Sequence, residues 1–179
     1  MPDVKTAAEV FAELNQLDER LRVEAKKGSE VGRSLLETIC AFSNEPNLGG
    51  GTILVGVTLV EDSMWPMYEV VGVKNPDQMQ ADIATQCAAS FNTVIRPEIK
   101  AEKIGEKTVL LIEVPEAIQH AKPIHFKKEP LPGSAYRRIG STDQRCTDDD
   151  MAVFYQDRRG ESYDEQVIRD STYSDIDPE

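Results

Sequence analysis

The sequence predicts an α+β domain, a mixed sheet with helices packed on it. Three observations lead there. Through Pro115 the apolar spacing switches between helical and alternating periods, so helices and strands interleave early. The run Thr52–Val60 is rich in β-branched residues with little alternation, and reads as a central strand covered on both faces. A hairpin follows, two alternating segments joined at Gly105-Glu106.

Taken in order, residues 6–17 read as a helix with Val10, Phe11, Leu14 and Leu17 on one side and Thr6 with Glu9 as a capping box. Residues 20–26 alternate, with Leu21, Val23 and Ala25 inward, as in a half-buried strand. After a turn at Lys27-Gly28-Ser29, a helix runs from Glu30 to about Asn44. Ser29 is placed to cap it, and Leu35, Leu36, Ile39, Cys40 and Phe42 crowd one face. Pro46 and Gly49-Gly50-Gly51 end it, ahead of the central strand. Tyr68–Val73 reads as a short strand. Asn75 or Asp77 caps a helix to about Phe91, with Met79, Ile83, Cys87 and Phe91 on its core face. The hairpin pairs Glu98–Lys103 with Thr108–Pro115, pointing Val109, Leu111 and Val114 inward. Residues 116–123 form a loop. Ile124–Lys127 and Ala135–Ile139 read as short strands around Pro130-Leu131-Pro132-Gly133, and Thr147 caps a last helix carrying Met151, Phe154 and Tyr155.

The length, 179 residues, suits one domain over 1–157 and an acidic linker or tail over 158–179. Such a domain buries enough surface to need no disulfide or metal staple. Three cysteines without paired spacing read as reduced thiols. With no signal peptide and no apolar run long enough for a bilayer, the expected setting is cytoplasmic, without a membrane partner. His120 and His125 lack the neighbours a zinc site or catalytic triad needs. Trp65, with Met64, Pro66 and Met67, is either an exposed contact or a cover for the sheet edge.

The net charge is −12, and from Gln156 onward eight acids face three arginines. A body this acidic repels phosphate, so a nucleic-acid partner requires a concentrated basic patch. The basic pairs are Lys26-Lys27, Lys127-Lys128 and Arg137-Arg138, with Lys122 and Arg145 nearby in sequence. Arg137 and Arg138 alternate on a strand, so one can meet a phosphate while the other meets a carboxylate. Gly140-Ser141 adds backbone donors and a hydroxyl suited to phosphate oxygens. The alternative for all of these is ordinary salt bridging. Gly49-Gly50-Gly51 precedes a strand and lacks a following Gly-Lys-Ser/Thr, so it is no P-loop. A tight turn needing positive φ explains it, though Gly50 and Gly51 could also let a backbone approach.

Four strings carry a resemblance to a known family: Leu21-Arg22-Val23-Glu24-Ala25-Lys26, Ile39-Cys40-Ala41-Phe42-Ser43-Asn44, Gly49-Gly50-Gly51-Thr52-Ile53-Leu54-Val55-Gly56-Val57 and Tyr136-Arg137-Arg138-Ile139-Gly140-Ser141-Thr142. In this order over residues 9–157 they resemble the Schlafen-type AlbA_2 domain, a DNA-binding type of domain in bacterial transcriptional regulators and Schlafen proteins. The resemblance implies an AlbA_2-like fold and a nucleic acid, DNA first, as partner. Its backbone phosphates would be met by Lys26, Lys27, Gly50, Gly51, Lys127, Lys128, Arg137, Arg138 and Ser141. No cofactor is expected for that role. The strings Ser162–Gln166 and Ser174–Asp177 are similar to the linker that leads, in longer members, to ATPase-like and winged-helix regions.

The resemblance also implies two alternatives. Some Schlafen proteins are ribonucleases with two glutamates five apart and a later aspartate. Glu19 and Glu24 match the pair and would hold Mg²⁺ or Mn²⁺ to activate water. The third acid is expected just after Gly56-Val57, where Thr58-Leu59 stands, leaving Asp62 or Glu61 as displaced substitutes. Five residues also put the two glutamates on opposite faces of a regular strand, so a bulge or helix end is required. The other alternative is a protein-interaction domain, including a homo-oligomer.

Overall fold

Reciprocal capping starts the first helix. The Thr6 amide and hydroxyl donate to Glu9 Oε2 at 2.7 and 2.9 Å, and the Glu9 amide donates back to Thr6 Oγ1 at 3.3 Å. Helix α1 (Ala7–Gln16) then buries Ala7, Val10 and Leu14. The structure is a computed structural model, and it describes residues 5–16, 21–28 and 31–158. Leu17, Ser29 and Glu30 therefore lie outside the described residues.

Four strands form the main sheet: β1 (Val23–Lys26), β2 (Gly51–Val55), β5 (Glu98–Ile104) and β6 (Lys107–Val114). Their order is β1-β2-β6-β5, with β1 parallel to β2 and the other pairs antiparallel. Helices α2 (Arg33–Asn44) and α3 (Pro76–Ser90) cover one face, packing Ile39, Phe42, Ile83 and Cys87 against Ile53, Leu110 and Ile112. Helix α1 and a small hairpin cover the other, packing Val10 and Leu14 against Leu54, Val109 and Leu111. The fold is α+β. Strand β6 is buried on both faces, so Val114 points to the side opposite Val109 and Leu111, where the sequence analysis put all three together.

The run Thr52–Val60 is two strands rather than one. At Gly56 φ is +103°, and the Gly56 carbonyl accepts the amides of Val71 and Gly72, each at 2.8 Å. A Cβ here would stand 3.1 Å from the Gly72 carbonyl carbon. The chain leaves the main sheet at this point. β3 (Val57–Leu59) pairs with β4 (Tyr68–Val70) as a separate hairpin whose tip exposes Met64, Trp65 and Met67.

Helix α2 starts at Arg33, capped by Gly32 without a side-chain hydrogen bond, later than the expected Glu30. Asn75 is the residue before α3. A strand was expected at Ile124–Lys127; only the isolated bridges Phe91↔Phe126 and His125↔Ala135 form there. Strand β7 (Tyr136–Ile139) pairs with β8 (Thr142–Arg145) across the exposed Gly140-Ser141 turn. A last helix, α4 over 148–158, opens with Thr147 and Asp150 capping each other. Among the described residues no helix is long and apolar enough to cross a membrane.

Candidate nucleic-acid interface

Alternation along β7 sends Arg137 and Arg138 to opposite faces, and each face supplies two carboxylates. Arg138 is 2% exposed. It donates to Glu24 Oε2 at 2.9 Å, Asp143 Oδ1 at 2.7 Å and the Leu21 carbonyl at 3.2 Å, with its guanidinium 5.0 Å from the Phe42 ring centroid. This joins the free edge of β1 to β8 and α2. Thr38 adds a hydroxyl bond to Asp143 Oδ2 at 2.5 Å. Arg137 forks onto Glu45 at 2.9 and 3.1 Å and reaches Asp150 at 2.7 Å. Hydrogen bonding to Glu45 above all, then to Asp150, raises its already high pKa. Both arginines are thus engaged by carboxylates in the fold. Lys26 also turns inward, bonding Ser34 Oγ at 2.9 Å and Glu24 Oε1 at 3.2 Å.

The glycine loop cradles an anion that belongs to the chain. Glu116 Oε2 accepts the Gly49 amide at 2.7 Å, while Oε1 accepts the Asn47 amide at 3.1 Å and the fully buried Lys122 Nζ at 2.7 Å. Burial opposes the Glu116 charge, but these three donors outweigh it and hold the pKa below its ordinary value. Gly50, at φ +84°, presses against β6: a Cβ would sit 2.0 Å from the Val114 carbonyl oxygen. Gly51 stacks on Phe42 in the same way. Gly50 and Gly51 are therefore engaged in backbone packing.

Of the four acids considered for hydrolysis, Glu19 lies outside the described residues and Glu61 stands exposed in the turn after β3. Glu24 spends one oxygen on Arg138 and the other on Lys26. Asp62 stands in the exposed turn after β3, at φ +64°. Among the described residues no group of three His, Cys, Asp or Glu is arranged to hold a metal ion. Glu24, already saturated by two cations, is a poor donor for Mg²⁺ or Mn²⁺. The His125 ring places Nδ1 3.2 Å from the Phe126 carbonyl oxygen, and its backbone amide donates to Asn92 Oδ1 at 2.9 Å.

Several exposed cations stand around the start of α2 and at the ends of α3, while Arg22, Arg96, Lys103, Arg145 and Arg158 are exposed elsewhere. Lys27, Lys74, Lys127 and Lys128 are exposed, with no ion-pair partner among the described residues. Lys27, Lys74 and Lys107 line a cleft of about 680 Å³ beside the N-terminal end of α3. Lys107 gives one hydrogen bond to the Val70 carbonyl at 2.8 Å. A second cleft of about 440 Å³, beside the C-terminal end of α3, is lined by Arg33, Lys128 and Glu129. The Lys127 amide bonds the Ser90 carbonyl at 3.0 Å, fixing the lysine pair at that end. Arg33, stacked 3.7 Å from the Phe126 centroid, forks onto Glu129. That hydrogen bonding, with Arg145 contributing charge, keeps the Glu129 pKa low. Val31 borders both clefts. Of the expected phosphate contacts, Lys27 lines the first cleft and Lys128 the second, with Val31 common to both. Ser141 lines neither cleft, and Arg137, Arg138 and Lys26 face carboxylates. Lys74 and Lys107 were missed by sequence reasoning, because neither stands in a basic pair. The signal available was the polar stripe of α3 next to Lys74.

The family described as Schlafen, AlbA_2 matches residues 19–147. A solved relative is the N-terminal domain of a Nitrosomonas europaea protein named "Putative ATP-dependent DNA Helicase RecG-related Protein". Its solution NMR structure is 48% identical, with a TM-score of 0.67 over 80% of this chain and 95% of that one. The crystal structure of the DIP2311 protein from Corynebacterium diphtheriae is 20% identical, with a TM-score of 0.51. It shares the fold over 84% of this chain, which spans only 27% of that protein's length. No curated protein matches. The match covers most of the chain, including the arginine-bearing β7 and the glycine loop: the chain belongs to the Schlafen AlbA_2 family.

Proposed function

We propose that the chain is a nucleic-acid-binding module, with DNA as its partner, that grips backbone phosphates through Lys27, Lys127 and Lys128. The carrying observation is how the cations are sorted. Arg137, Arg138, Lys26 and Lys122 are engaged by carboxylates, whereas these three lysines stand exposed without an ion-pair partner among the described residues. In a chain of net charge −12, phosphate is the partner that exposed lysines without a counter-charge favour. Family membership and the likeness to the domain of a helicase-related protein support the reading. Within it, the module serves a transcriptional regulator by delivering a further region to DNA.

Lysines that meet phosphates carry little sequence information, so binding is weakly selective and salt-dependent. Fluorescence anisotropy with a labelled duplex at stepped salt tests this. The expected result is a linear fall of log K with log salt, with a slope of about −3 or steeper, about −0.9 for each lysine engaged. The variant Lys127→Gln/Lys128→Gln should weaken binding evenly across sequences. Absence of binding at low salt, or binding indifferent to salt, overturns the proposal.

A further inference from the structure

Resting on that reading, we infer that one face of α3 floors a continuous track for a single backbone strand of duplex DNA, with Lys74 and Lys107 at one end and Lys128 at the other. The first cleft takes the capping Asn75 and, from α3, Gln78 and Asp82, and the second takes Gln86 and Ser90. Separations of three, four, four and four residues keep all five on one side of a helix with about 3.6 residues per turn. Val31 borders both clefts from the opposite wall. The two cavities are the ends of one trough.

Its dimensions suit the ligand. From Asn75 to Ser90 the helix rises about 22 Å at roughly 1.5 Å per residue. One strand of B-DNA advances about 3.4 Å along the axis per phosphate while winding around it, which sets successive phosphates about 7 Å apart, so the trough spans about three or four. Lys27, Lys74 and Lys107 mark one end and Lys128 the other. Between them lie the amides of Gln78 and Gln86, neutral groups that donate to phosphate and sugar oxygens. Asp82 is the one carboxylate on this stripe, and its Oδ1 accepts Gln78 Nε2 at 2.8 Å. With Glu106 in the first cleft and Glu129 in the second it limits the attraction.

The trough also chooses between duplex and single strand. Single strands are held by bases stacked on aromatic side chains. Among the described residues the one aromatic ring lining either cleft is Phe126, which is 5% exposed and lies against the Arg33 guanidinium. Bases find no platform here, whereas a paired backbone needs none.

The test is anisotropy with a duplex and with its separate strands, on the wild-type chain, Lys74→Gln/Lys107→Gln and Asp82→Asn. All three substituted residues are exposed, and circular dichroism checks that each variant folds. The double variant should lose about 2 from the log–log salt slope, about 0.9 per lysine. Asp82→Asn should tighten binding about twofold by removing a charge that faces phosphate, an effect that loss of fold could not produce. Duplex should bind better than either strand. If the wild type binds duplex while both variants keep its affinity and slope, the track is overturned and the role of Lys27, Lys127 and Lys128 stands. If the wild type prefers single strands, the duplex assignment is overturned. If it binds neither, both proposals fall.

Discussion

Replacing Arg138 separates an internal strut from a ligand contact. Its side chain is 1% exposed and joins Glu24, Asp143 and the Leu21 carbonyl. Each of the two charge-assisted bonds contributes roughly 1.5–3 kcal/mol. The two carboxylates keep 22% and 14% of their side-chain surface open to water, so hydration recovers part of what Arg138→Ala removes. A net loss of about 3–4 kcal/mol follows, within the range of about 3–5 for breaking a buried ion pair. At roughly 2–4 °C per kcal/mol for a domain of this size, Tm should fall by about 6–16 °C. Arg137 is 23% exposed, so solvent screening reduces the loss for Arg137→Ala to about 1–2 kcal/mol. Urea unfolding followed by far-UV circular dichroism gives both values. An Arg138→Ala chain within about 1 kcal/mol of wild type, or one that loses DNA binding at unchanged stability, would refute the reasoning.

Glu116→Gln leaves Lys122 buried without its counter-charge and should cost about 2–4 kcal/mol near neutral pH, read by the same unfolding assay. Glu116 and Asp150 both titrate below their ordinary values, burial opposing their charge and hydrogen bonds prevailing. Such groups contribute stability that is complete above the ordinary carboxylate pKa and is lost as pH falls through the lowered one. Stability should therefore decline from about pH 4.5 downward, the ordinary value for Glu116, and decline less in the Glu116→Gln chain; a profile equally steep in both would count against this. Burial pushes the thiols of Cys87 and Cys146 up to about 12 and that of Cys40 higher still. A thiol reagent at mildly alkaline pH should label none of the three in the native chain and all of them in urea.

The helices were legible because their caps and apolar faces are local: Thr6 with Glu9, Thr147 with Asp150, and Met79, Ile83 and Cys87 on α3. The break at Gly56 was not, since β-branched residues on both sides read as one run and only the approach of Gly72 requires the turn. Strand β8 was invisible because Thr142-Asp143-Gln144-Arg145 has no apolar alternation, and Asp143 is fixed by Arg138 and Thr38. The site divided along the same line. Basic pairs mark where cations stand in the chain, but their availability depends on acids far away in sequence, such as Glu24 and Glu45 for the two arginines. Lys27, Lys127 and Lys128 were named from basic pairs and stand exposed in the fold; Lys74 and Lys107 come close to Lys27 only through the turns at Gly28 and Gly72.

Because the chain abandons one ladder at Gly56 to begin another, the arm made of β3 and β4 is anchored at its base by Val57 and Val70 but is free to change at its far end. Lengthening it beyond Leu59 and Tyr68 adds residues at a tip that already faces water, while the pairing of β2 with β6 is left as it was. Extra sequence inserted near Trp65 can therefore vary freely in size and chemistry without asking the rest of the molecule to rearrange.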